Sequence, residues 1–212
     1  VHCKWLTIFN SCDRLQMIDL QNLQIETLAL YDCYANVEEL PLKILTLSWR
    51  KHSNTMISLP KTLERLSVRG WGGRKLNLPS LKHVGISHCC NLDKIILRSP
   101  LDTLSIVGKR KKKKHPLRVV FASPLVDVDD PDANLCHSID TITLVNSNAV
   151  IDWGALRCMH VRLRGENINW IPIYEGLKTL DVEDCPNLEI DLPYPDERPE
   201  LDCYVFDCPK IT

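Results

Sequence analysis

One spelling recurs along the chain. Apolar residues stand at Leu81, Val84 and Ile86 with a cysteine at Cys89, which gives the offsets LxxLxLxxC. The same offsets return at Ile25, Leu28, Leu30 and Cys33, and again at Leu177, Leu180, Val182 and Cys185. Self-similarity at a short fixed period restricts a chain to repeat architectures. Each unit is one small element that buries its apolar side only by stacking on its neighbours. Taking the first apolar position of each unit gives Cys3, Ile25, Leu42, Leu63, Leu81, Leu101, Ile139, Cys158, Leu177 and Glu200. Most starts lie roughly 20 residues apart. The interval from Leu101 to Ile139 is about double, so a Lys-rich insertion or a degenerate repeat is expected at 109–138. Two units depart from the pattern. In the last, Glu200 replaces the apolar residue and Cys203, Val205 and Cys208 carry the offsets. In the eighth, Leu156 competes with Cys158 as the start; Cys158 aligns Leu163-Arg164-Gly165 with Val68-Arg69-Gly70.

In LxxLxL the second and third apolar residues are two apart, so on a strand they share one face. The residue between them and the one after face the other way. Parallel stacking at roughly 4.8 Å satisfies the backbone ladder and closes the core together. The return segments are too short for a helix of several turns plus two connections. Extended and 3₁₀ segments are therefore expected on the return side. Leu40-Pro41, Leu59-Pro60, Leu78-Pro79, Ser99-Pro100 and Ile171-Pro172 each precede a unit by a few residues. Proline tolerates a strand entry and not its middle.

The pattern resembles the leucine-rich repeat family, whose unit is LxxLxLxxN or LxxLxLxxC, over nearly the whole chain. The resemblance implies an α/β solenoid, right-handed, with a parallel β-sheet on the concave face and mostly extended or 3₁₀ segments on the convex face. It implies a single domain over 1–212 of about ten coils, expected to be a piece of a longer protein. The stretches Leu59-Pro60-Lys61-Thr62-Leu63-Glu64-Arg65-Leu66-Ser67-Val68 and Cys185-Pro186-Asn187-Leu188 are similar to spellings in short bacterial-type repeats, in plant-type immune receptors and in F-box proteins.

Composition narrows the function classes. Net charge is -1, so whole-chain steering toward nucleic acid or membrane is not expected. No apolar run is long enough to span a bilayer. The ten cysteines form no CxxC pair, and most fall at buried repeat positions. No Asn-x-Ser/Thr sequon occurs. A reduced, intracellular protein, cytoplasmic or nuclear, is the expectation.

Cys33, Cys89, Cys185 and Cys208 stand where the family places asparagine, and they are read as core thiols. His83, His88, Cys89 and Cys90 lie close in sequence, but His83 should face out and Cys89 in, so no metal site is expected. Asp127, Asp129, Asp130 and Asp132 lack the glycine and glutamate of a calcium loop and read as an acidic loop. The run Lys109, Arg110, Lys111, Lys112, Lys113 and Lys114 cannot be buried; it reads as an exposed loop, an import signal or a site for an anionic partner. The concave rows place Trp5, Phe9, Tyr31 and Trp49 at the N-terminal end, then Arg65, Arg69 and His83. Arg162 and Arg164 stand one rung from Asp181 and Glu183. Exposed aromatics beside arginine are the composition of protein-binding hot spots.

No GxSxG, Walker loop, HExxH or dinucleotide motif occurs, so neither an enzyme nor a cofactor is expected. The expected function is recognition of a protein partner on the concave face, as an adaptor within a larger complex. Substrate-recognition repeats of an F-box ubiquitin ligase and sensor repeats of an immune receptor are the alternatives within that class. Binding of phosphoinositide or nucleic acid through Lys109–Lys114 is the alternative outside it; nucleic acid is disfavoured because no aromatic stripe accompanies the run.

Overall fold

A computed structural model of the chain describes residues 2–10, 16–53, 58–98, 101–108, 116–122, 137–147, 149–153, 156–166, 168–190, 192–193 and 197–211. Ten strands form one all-parallel sheet: β1 (His2–Phe9), β3 (Gln24–Tyr31), β5 (Ile44–Ser53), β6 (Arg65–Trp71), β8 (His83–Ser87), β10 (Thr103–Val107), β12 (His137–Val145), β14 (Leu156–Arg164), β15 (Thr179–Glu183) and β16 (Asp202–Phe206), in that spatial order. A second parallel sheet runs β13 (Ala149–Ile151), β11 (Leu117–Ala122), β9 (Lys94–Arg98), β7 (Lys75–Ser80). β2 (Gln16–Ile18) pairs with β4 (Cys33–Ala35). The chain is a parallel β-solenoid. Among the described residues it has no α-helix, so the α/β class gives way to an all-β solenoid whose return side carries strands where extended and 3₁₀ segments were expected. Among the described residues no helix is long and apolar enough to cross a membrane.

The register follows the LxxLxL offsets. Leu28 lies opposite Leu6 and Leu45, Leu66 opposite Leu45 and Val84, Ile142 opposite Leu104 and Val161, and Cys203 opposite Leu180. Except at β16, where Cys203 is exposed on the end strand, these rows point inward and meet Leu78, Ile95, Leu97, Val119 and Ile151 from the second sheet in one core. β10 pairs directly with β12, so no strand enters the main sheet from the long interval. Its apolar stretch at Leu117 is instead β11, between β9 and β13 in the second sheet. Pro79 lies within β7, which is tolerated because β7 is an edge strand.

Seven of the coils leave the main sheet through the same backbone device. The residue seven positions after the unit start adopts a left-handed conformation at Asp32, Gly70, His88, Asn146, Gly165, Asp184 and Asp207, with φ between 49° and 76°. Glycine, asparagine and aspartate enter this region most easily, which accounts for six of the seven. The amide of this residue donates onward to the next strand: Asp32 to the Ser48 carbonyl at 2.8 Å, Asn146 to Arg164 at 2.8 Å, Asp184 to Phe206 at 3.1 Å. At Gly70 the backbones approach closely, since a Cβ there would stand 2.1 Å from the Trp49 carbonyl oxygen.

Gly70→Ala is expected to destabilise by about 3 kcal/mol or more, because left-handed strain and displacement of the β5 backbone add. Gly176 also has a positive φ, but nothing lies within 4 Å of its would-be Cβ. Gly176→Ala should therefore cost only the strain, about 1–2 kcal/mol. Urea unfolding of the two variants checks this; equal losses would contradict the close approach at Gly70.

Candidate functional site

The outward rows of the main sheet carry most of the expected site residues, and burial sorts them. Trp5 and Phe9 are 69% and 72% exposed. Tyr31 is half-buried and stacks on Phe9, with ring centroids 4.5 Å apart and planes 11° apart. Along the same rung follow Ser48, Arg69 and Ser87 on the next three strands. Arg65 and Arg69 are exposed on β6, and Arg65 lies opposite His83. The His83 Nδ1 is 2.9 Å from the Thr103 hydroxyl. At the far end Arg162 pairs with Asp181 at 3.1 Å and Arg164 with Glu183 at 3.0 Å. Exposed pairs of this kind contribute about 0–1 kcal/mol each, so they neutralise charge more than they hold the fold.

Trp49 is a correction. It is 3% exposed and belongs to the core, not to the outer face. Its Nε1 donates to the Cys33 carbonyl at 3.1 Å, and its ring lies 6.0 Å from that of Trp71. The physical reason lies in β5. Its coil has no left-handed residue at the seventh offset, where a bulky tryptophan would be strained; the strand stays extended to Ser53. Alternation then continues past Leu45 and Leu47 and turns Trp49 inward.

Phe9, Tyr31, Trp49 and Arg69 converge on a pocket of about 440 Å³, whereas Trp5, Arg65 and His83 do not line it. Phe9, Tyr31, Asp32, Ser48, Trp49, Arg50, Arg69, Gly70 and His88 line it. The small Ser48 between Tyr31 and Arg69 leaves the gap. Arg50 is held on one wall by Asp32, whose carboxylate lies 3.0 Å from its guanidinium and also accepts its backbone N–H at 2.6 Å. Arg69 makes no ion pair or hydrogen bond among the described residues, and its charge faces the pocket uncompensated. The pocket can therefore take an anionic group beside a planar or apolar one. Arg162, Arg164, Asp181 and Glu183 lie several strands away and do not join it. Asp32, Arg50 and Gly70 were not expected at the site. The signal for Asp32 and Gly70 is their shared seventh offset, where the chain turns and its backbone opens toward the rung above.

The ninth position of the unit is inward. Cys33, Cys89, Cys185 and Cys208 are buried there, and three of them donate to the carbonyl two residues back: Cys89 to Ser87 at 3.3 Å, Cys185 to Glu183 at 3.4 Å and Cys208 to Phe206 at 3.3 Å. Glu166 occupies the same position and is fully buried. It accepts the Ser147 backbone N–H at 2.6 Å and the Ser147 hydroxyl at 3.0 Å. Sequence reasoning missed this buried acid. Its signal is its place at the cysteine offset. Among the described residues no group of three His, Cys, Asp or Glu side chains is placed to hold a metal ion. The Lys109–Lys114 run and Asp127, Asp129, Asp130 and Asp132 lie outside the described residues.

The chain matches no family model, no curated protein and no solved structure.

Burial pushes the Cys158 and Cys185 thiols up to about 11 from an ordinary 9.0, against smaller opposing effects of backbone hydrogen bonds. The folded chain thus keeps both protons in a range where the unfolded chain loses them. The stability they contribute is full below pH 9.0 and is lost as pH rises toward about 11. Two outcomes are expected. The thermal midpoint falls over that window, and iodoacetamide at about pH 8 leaves both thiols unmodified in the native chain while labelling them in urea. Native labelling at the unfolded rate would contradict their burial.

Proposed function

We propose that this chain is an intracellular protein-recognition module of the leucine-rich-repeat type, which docks a protein partner at the N-terminal end of its main sheet. The observation that carries the reading is the exposed Phe9–Tyr31 stack beside the uncompensated Arg69, around one pocket of about 440 Å³. An aromatic or aliphatic side chain of the partner would pack on the stacked rings, and a carboxylate close to it would pair with Arg69. Aromatic and arginine anchors dominate protein interfaces because they exclude water over a large area and fix direction through a planar donor fork. The strands that hold them are stacked in register, so little conformational freedom is lost on docking. The paired charges at Arg162–Asp181 and Arg164–Glu183 already satisfy each other and act as a neutral flank.

Affinity capture from cell lysate tests the reading with three forms of the chain: wild type, Phe9→Ser with Arg69→Glu, and Arg164→Ala with Glu183→Ala. A partner held by wild type should lose at least about 30-fold in affinity for the first variant, as anchor residues do. It should bind the second within a few-fold. A partner insensitive to Phe9 and Arg69, or lost only with the second variant, would move the site to another surface.

A further inference from the structure

The second sheet turns its other face outward. In β9 the burial alternates, so Ile95 and Leu97 enter the core while Lys94, Ile96 and Arg98 face out. The pairing register aligns the outward residues across strands. Lys75 lies opposite Lys94, and Lys94 opposite Arg118. Ile96 lies opposite Val120, and Arg118 opposite Val150. Three cations therefore stand rung on rung at strand spacing, roughly 4.8 Å per step. Arg74 precedes the row and Arg98 follows it, both exposed. None of the five makes an ion pair among the described residues. The exposed Asp93, directly before β9, pairs with none of them.

Like charges placed directly opposite on neighbouring strands destabilise a sheet. The same chain places Asp181 opposite Arg162 and Glu183 opposite Arg164, so this geometry readily accommodates a neutralising partner. With a net charge of -1, the chain concentrates cations here locally. We infer that the outer face of β7, β9 and β11 docks on an anionic lipid bilayer, with Lys75, Lys94 and Arg118 on headgroup phosphates and Ile96, Val120 and Val150 at headgroup depth.

The chemistry of the face favours a bilayer over other polyanions. No aromatic ring stands among the outward residues, so nucleobases find nothing to stack on. An extended peptide adds to a sheet's edge and a helix needs an apolar groove; a sheet face studded with cations offers neither. A bilayer requires only cations and aliphatic groups in one plane, with long cationic stems lying over the aliphatic side chains. The site lies on the second sheet, away from the Phe9–Tyr31–Arg69 pocket, and does not rest on the partner reading.

Vesicle co-sedimentation of the whole chain tests it. The probes are phosphatidylcholine vesicles and vesicles in which phosphatidylserine replaces a third of that lipid. Wild type should bind the anionic vesicles, release them as salt rises, and leave the neutral ones unbound. Each membrane-facing cation contributes roughly fivefold, so Lys75→Gln with Lys94→Gln and Arg118→Gln should bind on the order of 100-fold more weakly. The same variant should keep or raise its thermal midpoint, which separates lost binding from lost fold. A variant with glutamine at 111–114 should retain vesicle binding that still depends on the three ladder cations. Equal binding to neutral vesicles, no binding to anionic ones, or an unchanged triple variant would overturn the proposal. So would preferential binding of polyglutamate or a single-stranded oligonucleotide, which would assign the face to a protein or a nucleic acid.

Discussion

The solenoid depends on how each strand ends. A parallel strand cannot reach its neighbour through a tight hairpin, so the chain must leave the sheet, cross the core and re-enter one rung further on. The left-handed residue at the seventh offset starts that exit without breaking the ladder. Its amide still donates to the carbonyl of the next strand, as at Asp32, His88, Asn146, Gly165 and Asp184. The bend then throws the ninth residue inward, beneath the turn. That residue must be small or able to bond the turn's own backbone. Cysteine does the first and weakly the second. Ser147 and Glu166 do the second directly, since Glu166 spans to the rung below and satisfies both polar groups of Ser147. A buried carboxylate is tolerated there because its acceptors are met by donors fixed in place.

The spacing rule read the main sheet well because a strand of period two converts position into facing without further information. Every unit start is followed three residues later by a residue paired in register with its neighbours, including Val161 after the ambiguous Cys158; in the weak last unit the register holds at Cys203 but that residue is exposed on the end strand. The rule failed at Trp49, where it assumed a turn that this coil does not make. The second sheet was less legible. Its strands are as short as the three residues of β13, and they start at varying distances from the unit. The apolar stretch at Leu117 does not follow the unit spacing because both of its neighbours, β9 and β13, belong to return segments. The long interval holds the return strand of its own coil, with additional chain on either side.

The candidate pocket could not be read from any one repeat. Its wall residues come from the ends of five consecutive main-sheet strands, and the space exists because Ser48 is small where its rung neighbours Tyr31 and Arg69 are large. Burial of the neighbouring Trp49 also serves the pocket. Its ring packs against Trp71 in the core, while Phe9 stays exposed and Tyr31 half-buried at the surface.

Charge placement separates the parts of this surface that are complete from those that are not. In a parallel ladder, every outward residue meets one fixed neighbour on each side. Arg162 and Arg164 each find an acid there. Arg69 finds two serines, and Lys94 finds Lys75 and Arg118. The fold imposes the neighbours, but the residue type at each rung is free to vary, since outward positions carry little of the packing energy. An isolated cation between serines costs the fold almost nothing. A row of three stacked cations costs it something, and no contact within the described chain returns that cost. The two surfaces therefore differ in kind: the first carries one isolated cation beside an aromatic stack, whereas the second carries a row of cations that repel one another.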